Sequence, residues 1–444
     1  MGRVASIRFL GLYVPVIAAF LLAFLRPKRE RILPAALMGF VWTLPSLLAV
    51  QLLNLHFGWW SFGAQGGLFR GMPVDLYLGW AVLWGVLPIL TFHETGITWV
   101  AAVFLGVDLI LMPACSPVVV LSRRWLIGEL AALTLVQAPA QWFARWTLHD
   151  THLRARAVLH VLAASGVFLF VIPEFAFALR PGRGWTALLS ESGWLRNLEL
   201  QAIFLLGVLG VSAVQEFAQR GHGTPIPYDP PKLLVISGPY RYVSNPMQLS
   251  CALVMTAWSG VLRSPWLAAA GAMSFLYSLG LAAWDEGEDM RIRFGRPWEE
   301  YRNNVYAWRL RWTPWQPPDR SPARLYVAET CGPCSEVRRW FEAQGTAALD
   351  IVAAEDHPTR DLRRITYDPM DGTTVEEGVC ALARGLEHVN LGWAFAGACL
   401  RLPGISHVSQ ILLDVSGFGP RLIPRRSSET PASPVRGCSM DASG

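Results

Sequence analysis

The sequence predicts an all-α polytopic membrane protein with about nine transmembrane helices, followed by a smaller α/β domain at the C-terminal end. The 444-residue chain is 52% hydrophobic and 16% charged, with a mean hydropathy of +0.33, whereas soluble domains usually carry about 25% charged residues. The charge is also uneven, because residues 1–284 hold 30 of the 71 Asp, Glu, Lys and Arg side chains and residues 285–444 hold 41. The two parts therefore face different solvents. This excludes a purely cytosolic enzyme, a disordered chain and a disulfide-stapled secreted domain.

Nine apolar windows reach, or nearly reach, the ~20 residues that a spanning helix needs. They lie at 8–25, 32–54, 74–92, 97–116, 124–143, 156–179, 197–217, 246–262 and 265–284. The first window has no small-residue cleavage site, so we expect a span rather than a signal peptide. Basic residues concentrate after spans one, five, seven and nine, and the positive-inside rule therefore places residues 285–444 in the cytoplasm.

The remaining composition limits the partners. The net charge is +5, from 38 basic and 33 acidic residues, and the basic residues are 36 Arg and only two Lys. This preference for Arg is typical of a GC-rich genome rather than of a phosphate-binding surface, so we predict no nucleic-acid partner. Seven Cys in this length form no disulfide framework, and Cys331 and Cys334 are the single close pair.

The loop between spans seven and eight, residues 221–247, is the first candidate site. Its prolines fix φ angles, and Gly238 permits a turn that a side chain would block. Tyr240, Arg241 and Asn245 then supply aromatic, cationic and amide groups at the membrane surface. Pro246 opens the next helix, whose first N–H groups favour an anion. The alternative interpretation is a rigid re-entrant turn with one snorkelling Arg.

Gly-Pro-Tyr-Arg-Tyr-Val-Ser-Asn-Pro-Met at 238–247 resembles the signature of the isoprenylcysteine carboxyl methyltransferase family, which also includes phospholipid N-methyltransferases. The second half of that pattern, a Glu-containing segment followed by Phe-Gly and aromatic residues, is similar to residues 285–301. The resemblance covers about residues 156–312 and suggests the bacterial branch, hence a bacterial inner membrane. It implies methyl transfer from S-adenosylmethionine to a lipophilic substrate that enters from the bilayer.

Residue by residue, the resemblance implies a cofactor site built from the first block and one carboxylate of the second. Its members are Gly238, Pro239, Tyr240, Arg241, Asn245, Pro246 and Glu286. Arg241 and Glu286 are also the expected catalytic residues of this half. Three positions depart from the family pattern: Ser244 replaces Arg, Gln248 replaces Tyr, and Gly287 replaces the second Glu.

Other polar residues interrupt the predicted spans. Asp108, Glu129 and Glu174 are functional candidates, because a carboxylate inside a membrane is costly. The alternative is a protonated or Arg-paired acid packed between helices, which we prefer for Glu129 and leave open for the other two. His149 and His152 lack a third ligand and predict a solvated turn rather than a metal site.

Residues 324–344 predict a strand, Cys331-Gly-Pro-Cys334 and an amphipathic helix. The helix dipole stabilises a thiolate at a helix N-terminus, and a second Cys three residues on can close a disulfide. Zinc would need a second Cys or His pair, which is absent from the sequence nearby. A purely structural domain is the alternative to a redox one.

This strand–CxxC–helix order is the thioredoxin-like arrangement. Cys-Gly-Pro-Cys matches thioredoxin, although the preceding Trp is absent. The later segments 371–378, 391–393 and 402–405 look more like the DCC family of thiol-disulfide oxidoreductases. That resemblance implies that Cys331 and Cys334 are the redox pair, with a cellular thiol reductant or a disulfide protein as partner.

The sequence therefore predicts a membrane methyltransferase fused to a cytoplasmic redox module. The expected parts are N-terminal helices of unknown role at 1–150, a methyltransferase-like domain at 151–312, a Pro-rich linker at 313–322, a thioredoxin-like domain at 323–423 and a disordered tail at 424–444. The alternative function is a membrane-anchored thiol-disulfide oxidoreductase whose membrane part is a degenerate methyltransferase fold or a lipid-binding module.

Overall fold

The structure is a computed structural model that describes residues 2–25, 31–179, 184–190, 192–225 and 229–426. For residues 187, 281–286 and 418 it describes the backbone alone. The chain divides into two compact units, residues 1–308 and 309–444, and each is described by itself.

The first unit is helical. Its helices are α1 (Arg3–Leu25), α2 (Ile32–Phe57), α3 (Val74–Phe92), α4 (Ile97–Ala114), α5 (125–148), α6 (Leu153–Leu179), α7 (Gly193–Gln219), α8 (Pro246–Val261), α9 (265–294) and α10 (Arg296–Asn304). Helices α3, α5, α6 and α9 each contain a five-residue π-helical turn.

Six helices of the described residues are long and apolar enough to cross a membrane: α1, α2, α3, α4, α6 and α7. The sequence predicts three further spans in the regions of α5, α8 and α9. Helix α5 carries Glu129, Gln137 and Gln141 among its apolar residues, and α8 has only 16 residues. The membrane character of the chain therefore rests on six helices.

Close helix packing builds the interior of this unit. Helix α2 packs on α5, α1 on α3, and α7 on both α6 and α8. Gly39 and Gly85 lie where α2 crosses α3, and a Cβ on Gly39 would come within 2.1 Å of the Gly85 carbonyl oxygen. Small residues thus let the two backbones meet, as is common between membrane helices.

Two short antiparallel ribbons join the helix ends opposite the α7–α8 loop. Strand β1 (Trp60–Phe62) pairs with β4 (Val119–Leu121), and β2 (Leu68–Phe69) pairs with β3 (Met72–Pro73). Trp60 in β1 is buried in the main apolar core.

The second unit contains a four-stranded sheet in the order β6-β5-β7-β8, formed by Leu349–Ala353, Ala323–Val327, Thr366–Asp368 and Glu376–Glu377. Strands β5 and β6 are parallel, whereas β7 is antiparallel to both β5 and β8. Helix α11 (Gly332–Gln344) connects the parallel pair. Its Phe341 is buried with Leu325, Val327 and Tyr367.

Three helices complete this unit: α12 (Val379–Leu386), α13 (Leu391–Leu400) and α14 (Ile405–Leu413). The start of the predicted disordered tail contacts the unit, since the Arg426 amide donates to the Glu355 carbonyl oxygen at 2.8 Å. Residues 427–444 of that tail lie outside the described residues.

A cluster of five charged residues, which we call the Asp229 cluster, ties three loops of the first unit together. Its members are Arg31, Asp150, Arg156, Asp229 and Lys232. Arg156 Nη1 contacts Asp229 Oδ2 at 2.8 Å and Arg156 Nη2 contacts Asp150 Oδ1 at 2.7 Å. Arg31 lies 3.0 Å from Asp150 and 3.2 Å from Asp229, and Lys232 lies 3.1 Å from Asp150.

The cluster is partly shielded from solvent, because the Arg156 side chain is 1% exposed and that of Asp229 is 4% exposed. Burial alone would raise the pKa of Asp150. Hydrogen bonds from Lys232 and Arg156 together with the charge of Arg31 instead hold it at about 2. The Asp150 carboxylate therefore stays ionised at neutral pH. The cluster fixes the ends of α2, α5, α6 and α7 at one face.

We expect Asp229→Asn to destabilise the first unit by about 3 kcal/mol, because it removes a carboxylate from a buried guanidinium. The exposed pair of Asp289 with Arg293 offers the control, since Asp289 is 58% exposed and the pair spans one helical turn. Asp289→Asn should cost less than ~1 kcal/mol. Thermal unfolding of both variants in detergent measures the difference, and equal unfolding temperatures would contradict the structural role of Asp229.

Candidate functional site

The two sequence blocks predicted to form one site lie against each other. Four hydrogen bonds join the loop before α8 to the segment from α9 to residue 306. They run from Tyr301 Oη to the Tyr240 carbonyl (2.9 Å), from Arg293 Nη2 to the Pro231 carbonyl (2.6 Å), from the Ser244 amide to the Tyr306 carbonyl (3.0 Å) and from the Arg302 guanidinium to Ser244 Oγ. The helical hairpin between the blocks thus returns the chain onto the loop.

Gly238 occupies a position that no other residue fills easily. Its φ is +56°, and a Cβ there would lie 2.6 Å from Glu216 Cγ on α7. The neighbouring Ser237 Oγ donates to Glu216 Oε2 at 2.6 Å. Glycine is therefore required both by the backbone conformation and by the approach of a buried carboxylate.

Residues Gly238–Arg241 form one 3₁₀ turn, with Pro239 near its start. Tyr240 packs beside Phe217 of α7, with 6.3 Å between the ring centroids. Arg241 is 7% exposed. The turn thus holds a cation inside the protein at the C-terminal end of α7.

Asn245 lies at the N-terminal cap of α8, which begins at Pro246. Its Nδ2 donates to Gln248 Oε1 at 3.1 Å, and its Oδ1 accepts from Ser244 Oγ at 3.2 Å. Ser244 and Gln248, two departures from the family pattern, are therefore direct partners of Asn245. Arg302 reaches Ser244 from the second block, so a guanidinium is present beside this position even though residue 244 is not an Arg.

Glu286 lies within α9, but its side chain is outside the described residues, so its predicted role stays a prediction. A carboxylate that does lie at the Gly238 turn is Glu216, which the sequence analysis missed. It sits near the end of span seven, and the cost of an intramembrane carboxylate could have identified it as it did Asp108, Glu129 and Glu174. Glu216 is fully buried.

The turn places three chemically distinct groups near the end of α7. The buried Arg241 guanidinium is complementary to a carboxylate, and the Glu216 carboxylate is complementary to an ammonium or a sulfonium cation. Tyr240 supplies an aromatic ring, over which a cation is stabilised. These groups match the chemistry of a ligand that carries both a carboxylate and a positive charge.

The carboxylates within the helices adopt two arrangements. Glu174 is paired with Arg70 and accepts from Trp185 Nε1 at 2.5 Å, which makes it a packed, ion-paired acid. Asp108 and Glu129 instead interact with each other. Glu129 therefore has an acid as its neighbour, not an Arg.

The His149–His152 turn belongs to the Asp229 cluster through Asp150. His152 stacks on Trp146, with 5.0 Å between the ring centroids. The described part of the chain contains no group of three His, Cys, Asp or Glu side chains that could hold a metal ion.

One apolar groove of the first unit is remote in sequence from the loop. It has a volume of about 550 Å³ and lies between α4 and α5, with Ala101, Leu105, Leu133 and Trp142 among its lining residues. Its walls are apolar, and the residues of the α7–α8 loop do not line it.

In the second unit the structure brings Cys331 and Cys334 together at the start of α11. Cys331 caps the helix and Cys334 lies in its first turn. Their sulfurs are 2.8 Å apart, and both thiols are half-buried beside Tyr326, Ala354 and Leu362. Burial, the hydrogen bond with Cys331 and the charge of Cys331 raise the pKa of Cys334 to about 12, so Cys334 stays a thiol at neutral pH.

Glu355 anchors the loop that precedes the cysteines. Its Oε1 accepts from the amides of Glu329 and Thr330 at 3.1 Å and from Thr330 Oγ1 at 2.9 Å. These hydrogen bonds outweigh the effect of burial and lower the pKa of Glu355. An ionised carboxylate thus holds the backbone next to Cys331, a role that the sequence analysis did not assign.

Comparison with protein-family models, with curated proteins and with solved structures finds no match to this chain.

We expect Gly238→Ala to destabilise the loop by about 1–3 kcal/mol, through a positive φ and a clash with Glu216. Gly207 lies in α7, the same helix as Glu216, and a Cβ there would meet nothing within 4 Å. Gly207→Ala is therefore the matched control and should be neutral or slightly stabilising. Limited proteolysis and thermal unfolding in detergent measure both, and a Gly238→Ala protein as stable as the control would contradict the fit described for this turn.

Proposed function

We propose that the first unit is an integral-membrane S-adenosylmethionine-dependent methyltransferase that acts on a lipophilic small molecule or lipid. The observation that carries this proposal is the convergence of the two family-like blocks around the buried Arg241. The bound cofactor supplies an electrophilic methyl group. The protein's own task is to orient the reactants and to exclude water, since methyl transfer depends mainly on alignment.

The residues of the loop have distinct parts in this proposal. Arg241 binds the carboxylate of the methionine portion, and Asn245 helps to orient the same end. Glu216 attracts the positive charge from the α7 side, and the Gly238 turn brings the backbone close to it. Tyr301 and Arg302 hold the second block against the loop, so that it closes the site on the side away from α7.

We further infer that α5, α8 and α9 also cross the membrane, giving nine spans, and that the Asp229 cluster lies at the cytoplasmic face. The cluster joins the start of α2, the end of α5, the start of α6 and the end of α7, which is the pattern that alternating crossings produce. Its three cations satisfy the positive-inside rule. The second unit then follows α9 on the cytoplasmic side of a bacterial inner membrane.

The second unit is proposed as a thioredoxin-like redox module. Cys331 at the cap of α11, between parallel strands β5 and β6, supports this function. The Cys331 thiolate attacks a substrate disulfide and forms a mixed disulfide, with one substrate sulfur leaving as a thiolate. Cys334 loses its proton, attacks Cys331 Sγ and releases the second substrate thiol. A cellular thiol reductant then supplies the two electrons that restore the dithiol.

S-adenosylmethionine binding by calorimetry tests the methyltransferase proposal. We expect Arg241→Lys and Arg241→Ala to weaken binding by about tenfold or more, because a buried charge-assisted contact is lost. Arg124→Ala is the control, since Arg124 is exposed at the start of α5 and distant in sequence from the site. Unfolding curves verify that each variant is folded. Failure of the folded wild-type protein to bind would overturn the proposal and favour a membrane anchor or lipid-binding module.

Reduction of insulin disulfides by a dithiol tests the redox module. We expect Cys331→Ser to abolish the activity and Cys399→Ser, at a half-buried cysteine outside the pair, to leave it unchanged. Because the Cys334 thiol stays protonated at neutral pH, iodoacetamide at pH 7 should alkylate Cys331 before Cys334. Mass spectrometry of the two peptides measures this order. Equal activity of the two serine variants would contradict the redox assignment.

A further inference from the structure

The N-terminal helices contain a pair of acids that neither proposed activity uses. Asp108 on α4 and Glu129 on α5 are 7% and 1% exposed. The two carboxyl groups lie close enough to interact with each other. Two adjacent buried carboxylates strongly disfavour a state in which both are ionised, so such a pair favours a state in which one of them carries a proton.

The surroundings provide no positive charge that could replace this proton. Among the described residues, neither acid forms an ion pair with Lys, Arg or His. Apart from the pair, the titratable groups on α2, α4, α5 and the segment 115–124 are His56, Cys115, Arg123, Arg124 and Arg145. Helix α3 adds Tyr77 and Asp75, and Asp75 is paired with Arg8. His56, Arg123 and Arg124 are exposed. Arg145 lies at the other end of α5, where it donates to the carbonyl oxygens of Phe92 and Thr95.

Large apolar side chains enclose the pair. Trp59 and Trp60 pack over Gly128, where an added Cβ would lie 2.4 Å from the Trp60 ring. Phe104 and Met112, one turn on either side of Asp108, belong to the same buried core. Ionising both acids here would place two negative charges in a medium of low dielectric constant, which is strongly unfavourable.

A second observation lies further along α5. Gln137 is fully buried, and neither its Oε1 nor its Nε2 has a hydrogen-bond partner among the described residues. Gln141 is also fully buried; its Nε2 donates to the Trp84 carbonyl at 2.8 Å, but its Oε1 has no partner. Asp108 Oδ2 and Glu129 Oε1 are likewise buried without a partner. Buried polar atoms that lack a hydrogen-bond partner in the protein are normally hydrogen-bonded to water.

The π-helical turn at Leu133–Gln137 brings these groups onto one side of α5. The π-helical turn accommodates one of the eight residue steps from Glu129 to Gln137 as an extra residue. The other seven steps rotate the helix by about 700°, close to two full turns. Gln141 follows one turn later. Glu129, Gln137 and Gln141 therefore form a polar row along one side of a mostly apolar helix.

We propose that Asp108 and Glu129 form a proton-binding site that holds one shared proton at neutral pH, and that Gln137 and Gln141 bind the waters through which this proton exchanges. The ligand is a proton, bound as the O–H of one carboxyl group and accepted by the other. Release leaves two carboxylates and transfers the proton to the neighbouring water. This site is independent of S-adenosylmethionine and of the cysteine pair.

Infrared spectroscopy of the full chain in detergent tests the binding site. We expect the carbonyl stretch of a protonated carboxylic acid at pH 7, and its loss in the double variant Asp108→Asn/Glu129→Gln. Glu174→Gln is the matched control, because Glu174 is an equally buried carboxylate that is ion-paired with Arg70. A band that persists in the double variant, or that is lost in the control, would overturn the assignment.

Labelling with N,N′-dicyclohexylcarbodiimide, which modifies protonated carboxyl groups in apolar surroundings, is a second measurement on the wild-type protein. Mass spectrometry should locate the adduct at Asp108 or Glu129 and not at Glu174. Protection by sodium ions at constant pH would instead identify a cation site and overturn the proton assignment.

The exchange path has its own test. Transfer to heavy water should shift the carboxylic-acid band at a rate that falls several-fold in Gln137→Leu and Gln141→Leu. Thr134→Val on the exposed side of α5 is the control for a generally altered helix. Unchanged exchange in the two Gln variants would show that these side chains do not hold the connecting waters.

Discussion

The Asp229 cluster is the constraint on which the first unit depends. Arg156 is almost completely buried, and a guanidinium cannot lose its proton to relieve that burial, so it needs both Asp150 and Asp229 beside it. These two acids belong to different interhelical loops, and Arg31 adds a third. Thr224 fixes the geometry locally, because its Oγ1 donates to Asp229 Oδ2 and its amide donates to the Asp229 carbonyl. The need to compensate the buried charge of Arg156 thus fixes the position of Asp229, and with it the first half of the α7–α8 loop.

A second constraint sets where that loop ends. The ion pair of Lys232 with Asp150 holds the first half of the α7–α8 loop in place. Further along the loop, the chain turns at Gly238, where Glu216 leaves no room for a side chain. The segment after the α8–α9 hairpin then covers the turn, with the Tyr301 hydroxyl on the Tyr240 carbonyl. Arg241 belongs to this covered turn and is 7% exposed. Residues about sixty positions apart in the sequence are thereby brought together.

Much of this architecture follows from patterns that are local in sequence. Six spans are evident from the length and hydropathy of their helices, and the start of α8 follows from Asn245-Pro246. The strand, the two cysteines and helix α11 are likewise readable from alternation and capping. The sequence did not reveal Glu216 against Gly238, Asp150 against Arg156 or Glu355 beneath the Thr330 amide. Each of these pairs joins residues on different elements, and only tertiary packing decides which charged group meets which partner. The order of β7 and β8 in the sheet depends on such packing as well.

The buried acids of the first unit show how the same physical problem has different solutions in one fold. Asp229 is stabilised by two guanidinium groups, and Glu174 by one guanidinium and an indole N–H. In both cases a cation or a hydrogen-bond donor of the protein replaces the water that the carboxylate loses on burial. Asp108 and Glu129 have no cationic partner among the described residues, and two acids can share a hydrogen bond only if one of them carries a proton. Protein groups alone therefore compensate the carboxylates of Asp229 and Glu174, whereas the Asp108–Glu129 pair takes up a proton from solution. That difference separates the acids that hold the helices together from the pair that can respond to its surroundings.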